Sequence, residues 1–487
     1  MSAGDFMVLS PLIALAVASV VIMLGISVQR GHRVTFLITL AGLGSSFGML
    51  VRVYRIYGLA DRQVTRLMLV DDFAIFYLGL ILIAACIIVV LSFEYLKQRA
   101  GDNEEYYLLL LVAVLGAMTI VVSSHFASFF LGLELLSVSL YTMVAYLDGR
   151  DAGIEAGIKY LVLASVSAAF LLFGIALVYA ATGTMHIGTL ASLAAALPMQ
   201  AGGVNPLILA GFGLIIAGLG FKLALVPFHL WTPDVYEGAP APVTAFIATV
   251  SKGAVLVFLI RFGASMKIQE NPSLFAVFSL LAVLSMFTGN LLALFQKNIK
   301  RLLAYSSIAH IGYLLVPFMA GGRIGLSATA YYLAAYFVTT LGAFGVVTLL
   351  SGKGREADRI DDYRGLAIRH PWLAGSLTAM LFSLAGMPVT AGFIAKFYII
   401  AAGADSSLWW LVMALVINSA LGLFYYLRVV AAIYTQEKEA HGAQTKKYTL
   451  SLSGAVILSV LTVLLICFGV YPPLLIGVIE KTVLRLI

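Results

Sequence analysis

Apolar runs of about twenty residues, each closed by a short polar or charged break, follow one another along almost the whole 487-residue chain. At about 1.5 Å per residue, a run of that length crosses a ~30 Å hydrocarbon layer as a helix. The runs fall at 7–28, 34–53, 72–93, 106–122, 125–147, 154–181, 206–233, 241–262, 273–295, 302–319, 325–350, 371–402, 407–434 and 450–476, which predicts fourteen spanning helices. The expected fold class is an all-α polytopic membrane protein. The opening MSAGDFMVLS has neither a basic stretch nor an Arg- and Ser-rich pattern, so the first run reads as a permanent span.

Two runs are interrupted. In 206–233, Lys222 and His229 flank Pro227, and in 371–402 Ser383, Gly386, Pro388, Thr390 and Gly392 cluster ahead of Lys396. Pro227 has no N–H for the carbonyl four residues back, that of Leu223, so a bare carbonyl is expected beside Lys222. Loose backbone groups at membrane depth persist only where protein or a water-filled cavity satisfies them, which implies a hydrated interior. In a regular helix Lys222 and His229 share one face, about 10 Å apart along the axis.

Interrupted helices in both halves of a chain are the sequence sign of an internal repeat around a transport site. With Lys222 and Lys396 taken as equivalents, each repeat has five helices, and an odd count inverts the second copy relative to the first. The expected organisation is a three-helix segment at 1–105, one repeat at 106–262, its inverted partner at 263–434, and a C-terminal helix within 435–487.

With 62% hydrophobic and 11% charged residues, the composition excludes a soluble globular protein, which carries about 25% charge. The net charge of +7 does not imply nucleic acid, because Lys and Arg sit mostly in short loops, where they set orientation. Sixteen of them, including Arg30, Lys97, Arg99, Arg150, Lys300 and Arg355, gather on one side, against nine, including Arg52, Arg261, Lys267 and Arg323, on the other. That places the first set in the cytoplasm and both termini outside, on the periplasmic side. The connection from Thr182 to Asn205 has no Lys or Arg, and its TLASLAAALP stretch is expected to lie flat at the interface. Cys86 and Cys467 lie far apart in apolar runs, which excludes a cysteine-ligated iron–sulfur cluster within the chain.

Five ionisable groups fall inside the spans: Glu134, Lys159, Lys222, Lys252 and Lys396. Charges at that depth are costly and mark ion or proton pathways, each with a plainer alternative. Glu134 needs a cation nearby, as a proton-passing pair with a lysine or as a static bridge between helices. Lys159 follows Glu155 by four residues, so it is a pathway lysine or an ordinary i,i+4 ion pair near the interface. Lys252 lies between Ser251 and Gly253, small neighbours that leave room for water or another helix. His229 and His310 are relay groups or packed core residues, since imidazole exchanges a proton near neutrality. Arg428 lies near a helix end and reads as structural. No dinucleotide fingerprint, P-loop, HExxH or paired-Cys pattern is present, so bond-making catalysis has no visible machinery.

GFKLALVPFHLWTPDVYEGAPAPVTAFIATVSK, FLGLELLSVSLY, IKYLVLASVSAAFLLFG, NIKRLLAYSSIAHIGYLL and SLAGMPVTAGFIAKFY together resemble the antiporter-like membrane subunits of bacterial respiratory complex I. The resemblance covers nearly all the spans, and the wording PFHLWTPDVYEGAP differs from the sister subunits L and M. It implies a proton-translocating subunit of the cell inner membrane in which Glu134 and Lys222 form the charged pair of one half-channel. Lys159 and Lys252 would continue the path, and Lys396 would serve the other half-channel. It also implies that this chain binds no cofactor, since NADH, FMN, iron–sulfur clusters and quinone belong to other subunits. The partners implied are the other membrane subunits, a neighbouring antiporter-like subunit among them. Two other readings fit these residues: a subunit of a multisubunit cation/proton antiporter, which shares this charge pattern, and a stand-alone membrane haem or quinone protein using His229 and His310.

Overall fold

A computed structural model describes residues 3–57, 62–99, 101, 103–147, 150–190, 205–352, 356–435 and 451–483. All but the first two residues of the TLASLAAALP stretch, and several of the tallied loop cations, Lys353, Arg355, Lys438, Lys446 and Lys447 among them, lie outside those residues.

The spanning helices are α1 (Ser10–Val28), α2 (His32–Tyr57), α3 (Asp72–Lys97), α4 (Glu104–Val122), α5 (Phe126–Val144) and α6 (Asp151–Thr182). They continue as α7 (Pro206–Leu223), the short α8 (Trp231–Gly238), α9 (Ala241–Ser265), α10 (Pro272–Leu294), α11 (Ile299–Ala320) and α12 (Gly322–Leu350). The last are α13 (Pro371–Ala385), α14 (Ala391–Asp405), α15 (Trp409–Tyr434), α16 (Leu452–Val470) and α17 (Pro473–Val483). Thirteen of the described helices are long and apolar enough to span a membrane, and the remaining run of the sequence, 371–402, is divided between the shorter α13 and α14. Between α2 and α3 the chain adds a small antiparallel hairpin, Arg62–Val64 with Met68–Val70, too short for a hydropathy pattern to reveal.

Enclosure sorts the helices. The most apolar stretches of α9, α11 and α12 are 100%, 94% and 94% buried, whereas those of α1, α2 and α16 are only 33% buried. These three enclosed helices form the interior that carries the site, and the others turn apolar faces outward. Inside α9 the turn Ile247–Ser251 is a π-helix, a wider turn that shifts the side-chain register just before Lys252.

Both interruptions are present, but not as the sequence suggested. Helix α7 ends at Leu223, and Ala224 turns left-handed at φ 61°. Its N–H returns to Phe221 at 3.0 Å, and that of Leu225 returns to Gly220 at 2.8 Å. The helix therefore stops before Pro227, so no i−4 bond is left for the proline to break. The expected shared face of Lys222 and His229 is lost for the same reason. Helix α13 ends at Ala385, with Gly386 at φ +84°, and Thr390 caps α14 through Phe393 N–H. Lys222 precedes its break and Lys396 follows its own, so the two lysines are not register equivalents.

Ion pairs gather at both ends of the bundle. Arg30 pairs with Glu105 at 2.7 Å, while Arg99, Arg150 and Lys300 all converge on Glu356 at 2.9, 3.3 and 3.4 Å. On the opposite side, Arg261 grips Asp71 through both terminal nitrogens, at 2.7 and 2.9 Å.

Candidate functional site

The first station lies where α7 stops. Lys222 is buried and donates to the hydroxyl of Ser137 on α5 at 2.6 Å, and that hydroxyl in turn donates to the Leu133 carbonyl at 2.6 Å. Glu134, one turn before Ser137, is near enough for its charge to act on the ammonium, and its Oε1 is buried without a hydrogen-bond partner. Lys222 thus rests on a neutral hydroxyl, and among the described residues no contact ion pair joins it to Glu134. Trp231 of α8 donates its indole N–H to the Phe221 carbonyl at 2.9 Å, capping α7 beside Lys222.

The second station is Lys252, only 1% exposed, whose ammonium donates to Ser307 of α11 at 2.7 Å. The same Ser307 oxygen accepts from Tyr336 of α12 at 2.8 Å, and the ring of Tyr236 from α8 lies 5.4 Å from the ammonium. His229, in the link between α7 and α8, is 7% exposed and falls within range of the Lys252 charge. Its Nδ1 is buried without a partner.

One turn beyond Ser307 on α11, His310 is bound on both ring nitrogens, by Tyr332 at 2.6 Å and by Tyr426 of α15 at 3.1 Å. Tyr426 also meets Ser306 at 2.5 Å. A cavity of about 10 Å³, lined by His310, Tyr332, Tyr336, Thr339, Ser383 and Lys396, leaves space for one water between this group and the last station. There Lys396 donates to the carbonyls of Leu384 and Ala385 at 3.0 and 2.9 Å and to Ser419 at 2.8 Å. Those carbonyls end α13, where the helix dipole favours a cation.

Glu134, Lys222, His229, Lys252, His310 and Lys396 lie inside the bundle, and Pro227 and Pro388 sit in the loops that follow α7 and α13. Lys159 does not lie inside it. Its side chain is 44% exposed, paired with Glu155 at 2.8 Å and with Asp234 at 3.0 Å. Arg428 is structural, as expected, donating to the carbonyls of Leu294 at 2.7 Å and of Gln296 beyond the end of α10. Both nitrogens of His310 are held by hydroxyls, which leaves the haem-ligand reading of His229 with His310 without the second imidazole it needs. Among the described residues no three His, Cys, Asp or Glu side chains gather as a metal site.

The hydroxyls were missed from sequence. Ser137, Ser306, Ser307, Tyr332, Tyr336 and Ser419 hold the buried lysines, His310 or their partners, and a signal did exist in YYLAAYFVTT, where Tyr332 and Tyr336 recur at i,i+4 inside an apolar run.

Two broken helices, a titratable group at each break and a buried cluster of hydroxyls and imidazole in the interior define an ion-translocating membrane protein of the broken-helix type. Residues 123–422 match the NADH:quinone oxidoreductase/Mrp antiporter transmembrane family. The chain is 50% identical, over 98% of its length and 96% of the relative's, to NADH-quinone oxidoreductase subunit N of Nitrosospira multiformis. It is 44% identical to the subunit N of Ectopseudomonas mendocina, over 99% of its length and 97% of that protein. A chain of respiratory complex I from Thermus thermophilus superposes with a TM-score of 0.81 at 31% identity, covering 97% of this chain and 100% of that one. A chain of the Mrp complex from Dietzia shares the fold, with a TM-score of 0.85 at 20% identity, covering 100% of this chain and 98% of that one. The chain belongs to the NADH-quinone oxidoreductase subunit N family.

Proposed function

We propose that this chain moves protons across the bilayer as a membrane-arm subunit of an NADH-quinone oxidoreductase. The route runs from Glu134 and Lys222 through Lys252, His229 and His310 to Lys396. The observation that carries it is the chain of contacts at mid-depth: Lys252 to Ser307 to Tyr336, then the cavity shared by Tyr336, His310 and Lys396. Each ammonium rests on neutral oxygens, so each can give up its proton without breaking a contact ion pair.

The driving step lies outside the chain. Quinone reduction elsewhere in the complex shifts charge along the membrane arm and alters the Glu134–Lys222 separation, and with it the affinity of the lysine for its proton. Protons then enter from the cytoplasm, cross by Lys252 and leave by Lys396 to the periplasmic side, where both termini also lie. The redox groups belong to partner subunits, and a neighbouring antiporter-like subunit covers part of the exposed apolar surface. The two inverted five-helix repeats organise the two halves of the path around the breaks.

In an assembled complex, Lys222→Ala or Glu134→Ala lowers pumping-coupled NADH:quinone activity. Full activity with intact assembly contradicts the proposal.

A further inference from the structure

Helix α8 is only eight residues long, yet it touches both interior lysine stations. Trp231 at its start caps the Phe221 carbonyl beside Lys222, and Tyr236 lies over Lys252. A short helix between two breaks has little internal stability, so its position depends on what holds it from outside.

What holds it is an ionic clamp at its surface-facing side. Asp234 accepts from Lys159 of α6 at 3.0 Å and from Arg301 of α11 at 2.7 Å. Arg301 also reaches Glu237 at 2.8 Å, and Asn298 donates to Glu237 at 3.1 Å. The ring of Tyr160, the residue after Lys159, stacks on Trp231 at 4.7 Å. At the C-terminal end of α8, Gly238 sits so close to α6 that an added Cβ would fall 2.4 Å from Ala156 Cβ and 2.5 Å from the Ala152 carbonyl.

We infer that Lys159 is a positioning residue: with Arg301 it holds Asp234, fixes α8, and so sets the placement of Lys222 and Lys252. It needs its positive charge and its reach, but not the loss of its proton. This rests on the proposed proton route, whose failure is read separately from the Lys222→Ala result.

Arginine separates a strut from a carrier, because a guanidinium keeps its charge and does not release a proton at any working pH. Lys159→Arg, Lys159→Ala, Asp234→Asn and the double variant Lys159→Ala/Asp234→Asn are compared in membrane vesicles. The readouts are NADH-driven proton uptake, NADH:quinone activity and the content of assembled complex on native gels. The inference predicts that Lys159→Ala and Asp234→Asn each lower coupled activity by about threefold, within the range of a partly exposed ion pair, and that the double variant is no worse than either. Lys159→Arg keeps uptake close to the parent. Uptake lost in Lys159→Arg as fully as in Lys159→Ala, with the complex assembled, overturns the inference and makes Lys159 a proton carrier. So does independence of the two alanine and asparagine effects, seen as losses that multiply. If Lys159→Ala does not assemble, the comparison of Lys159→Arg with Asp234→Asn still decides.

Discussion

The ammonium of Lys252 and the hydroxyl of Ser307 stand 2.7 Å apart, on helices α9 and α11, in the most enclosed part of the molecule. A charge-assisted hydrogen bond of this kind contributes about 1.5–3 kcal/mol when its partners are buried. Ser307→Ala removes the acceptor used by both Lys252 and Tyr336. The expected result is a complex that assembles less stably and takes up fewer protons per NADH oxidised, measured in vesicles. Unchanged uptake would mean that the route does not pass through Ser307.

Gly386 makes the second break possible. Its φ of +84° is a conformation that costs an L-residue about 1–2 kcal/mol, and a Cβ there would stand 2.9 Å from Lys396 Cδ and 3.1 Å from its Nζ. Gly386→Ala should displace the ammonium from the Leu384 and Ala385 carbonyls. Coupled activity then falls while assembled complex persists, as read by proton uptake against native-gel content.

Glu356 is a structural carboxylate at the end of the bundle that carries Arg99, Arg150 and Lys300. Burial alone would raise its carboxyl, but Lys300, then Arg150, the Tyr95 hydroxyl and Arg99 outweigh burial and hold it below the ordinary carboxylate value. A depressed folded value means that the stabilisation is complete above the unfolded value, near 4.3, and is lost as pH falls through the folded one. Glu356→Gln should cost about 3–5 kcal/mol at neutral pH, because buried Arg99 and Lys300 and the quarter-exposed Arg150 lose their shared anion. Thermal unfolding of the purified complex should show this as a lower Tm. The difference from the parent should shrink only in acid, below the unfolded carboxylate value.

How much of this the sequence disclosed depended on whether a residue's cost is local. An ammonium or carboxylate in an apolar run is anomalous wherever its partners are, so Lys222, Lys252, Lys396 and Glu134 stood out at once. Serine and tyrosine are tolerated in such runs, so Ser137, Ser307 and Tyr336 acquired meaning only when folding brought helices far apart in the chain together. The breaks were visible in Pro227, Gly386 and Pro388, but their geometry was not. A left-handed Ala224 ends α7 before the proline acts, and no residue preference announces it. Lys159 joins the path only through the family resemblance, and the i,i+4 pair with Glu155 that the sequence also offered is present at 2.8 Å. Its second partner, Asp234, is seventy-five residues away, and only the fold of α8 onto α6 brings the two together.

The most direct test of the proton route is NADH-driven proton uptake by inverted vesicles carrying Lys252→Arg, with uptake expressed per NADH oxidised. Arginine preserves the buried charge while holding its proton at every working pH. The route through Lys252 predicts assembled complex with uptake per NADH clearly below the parent. Uptake equal to the parent's would contradict it.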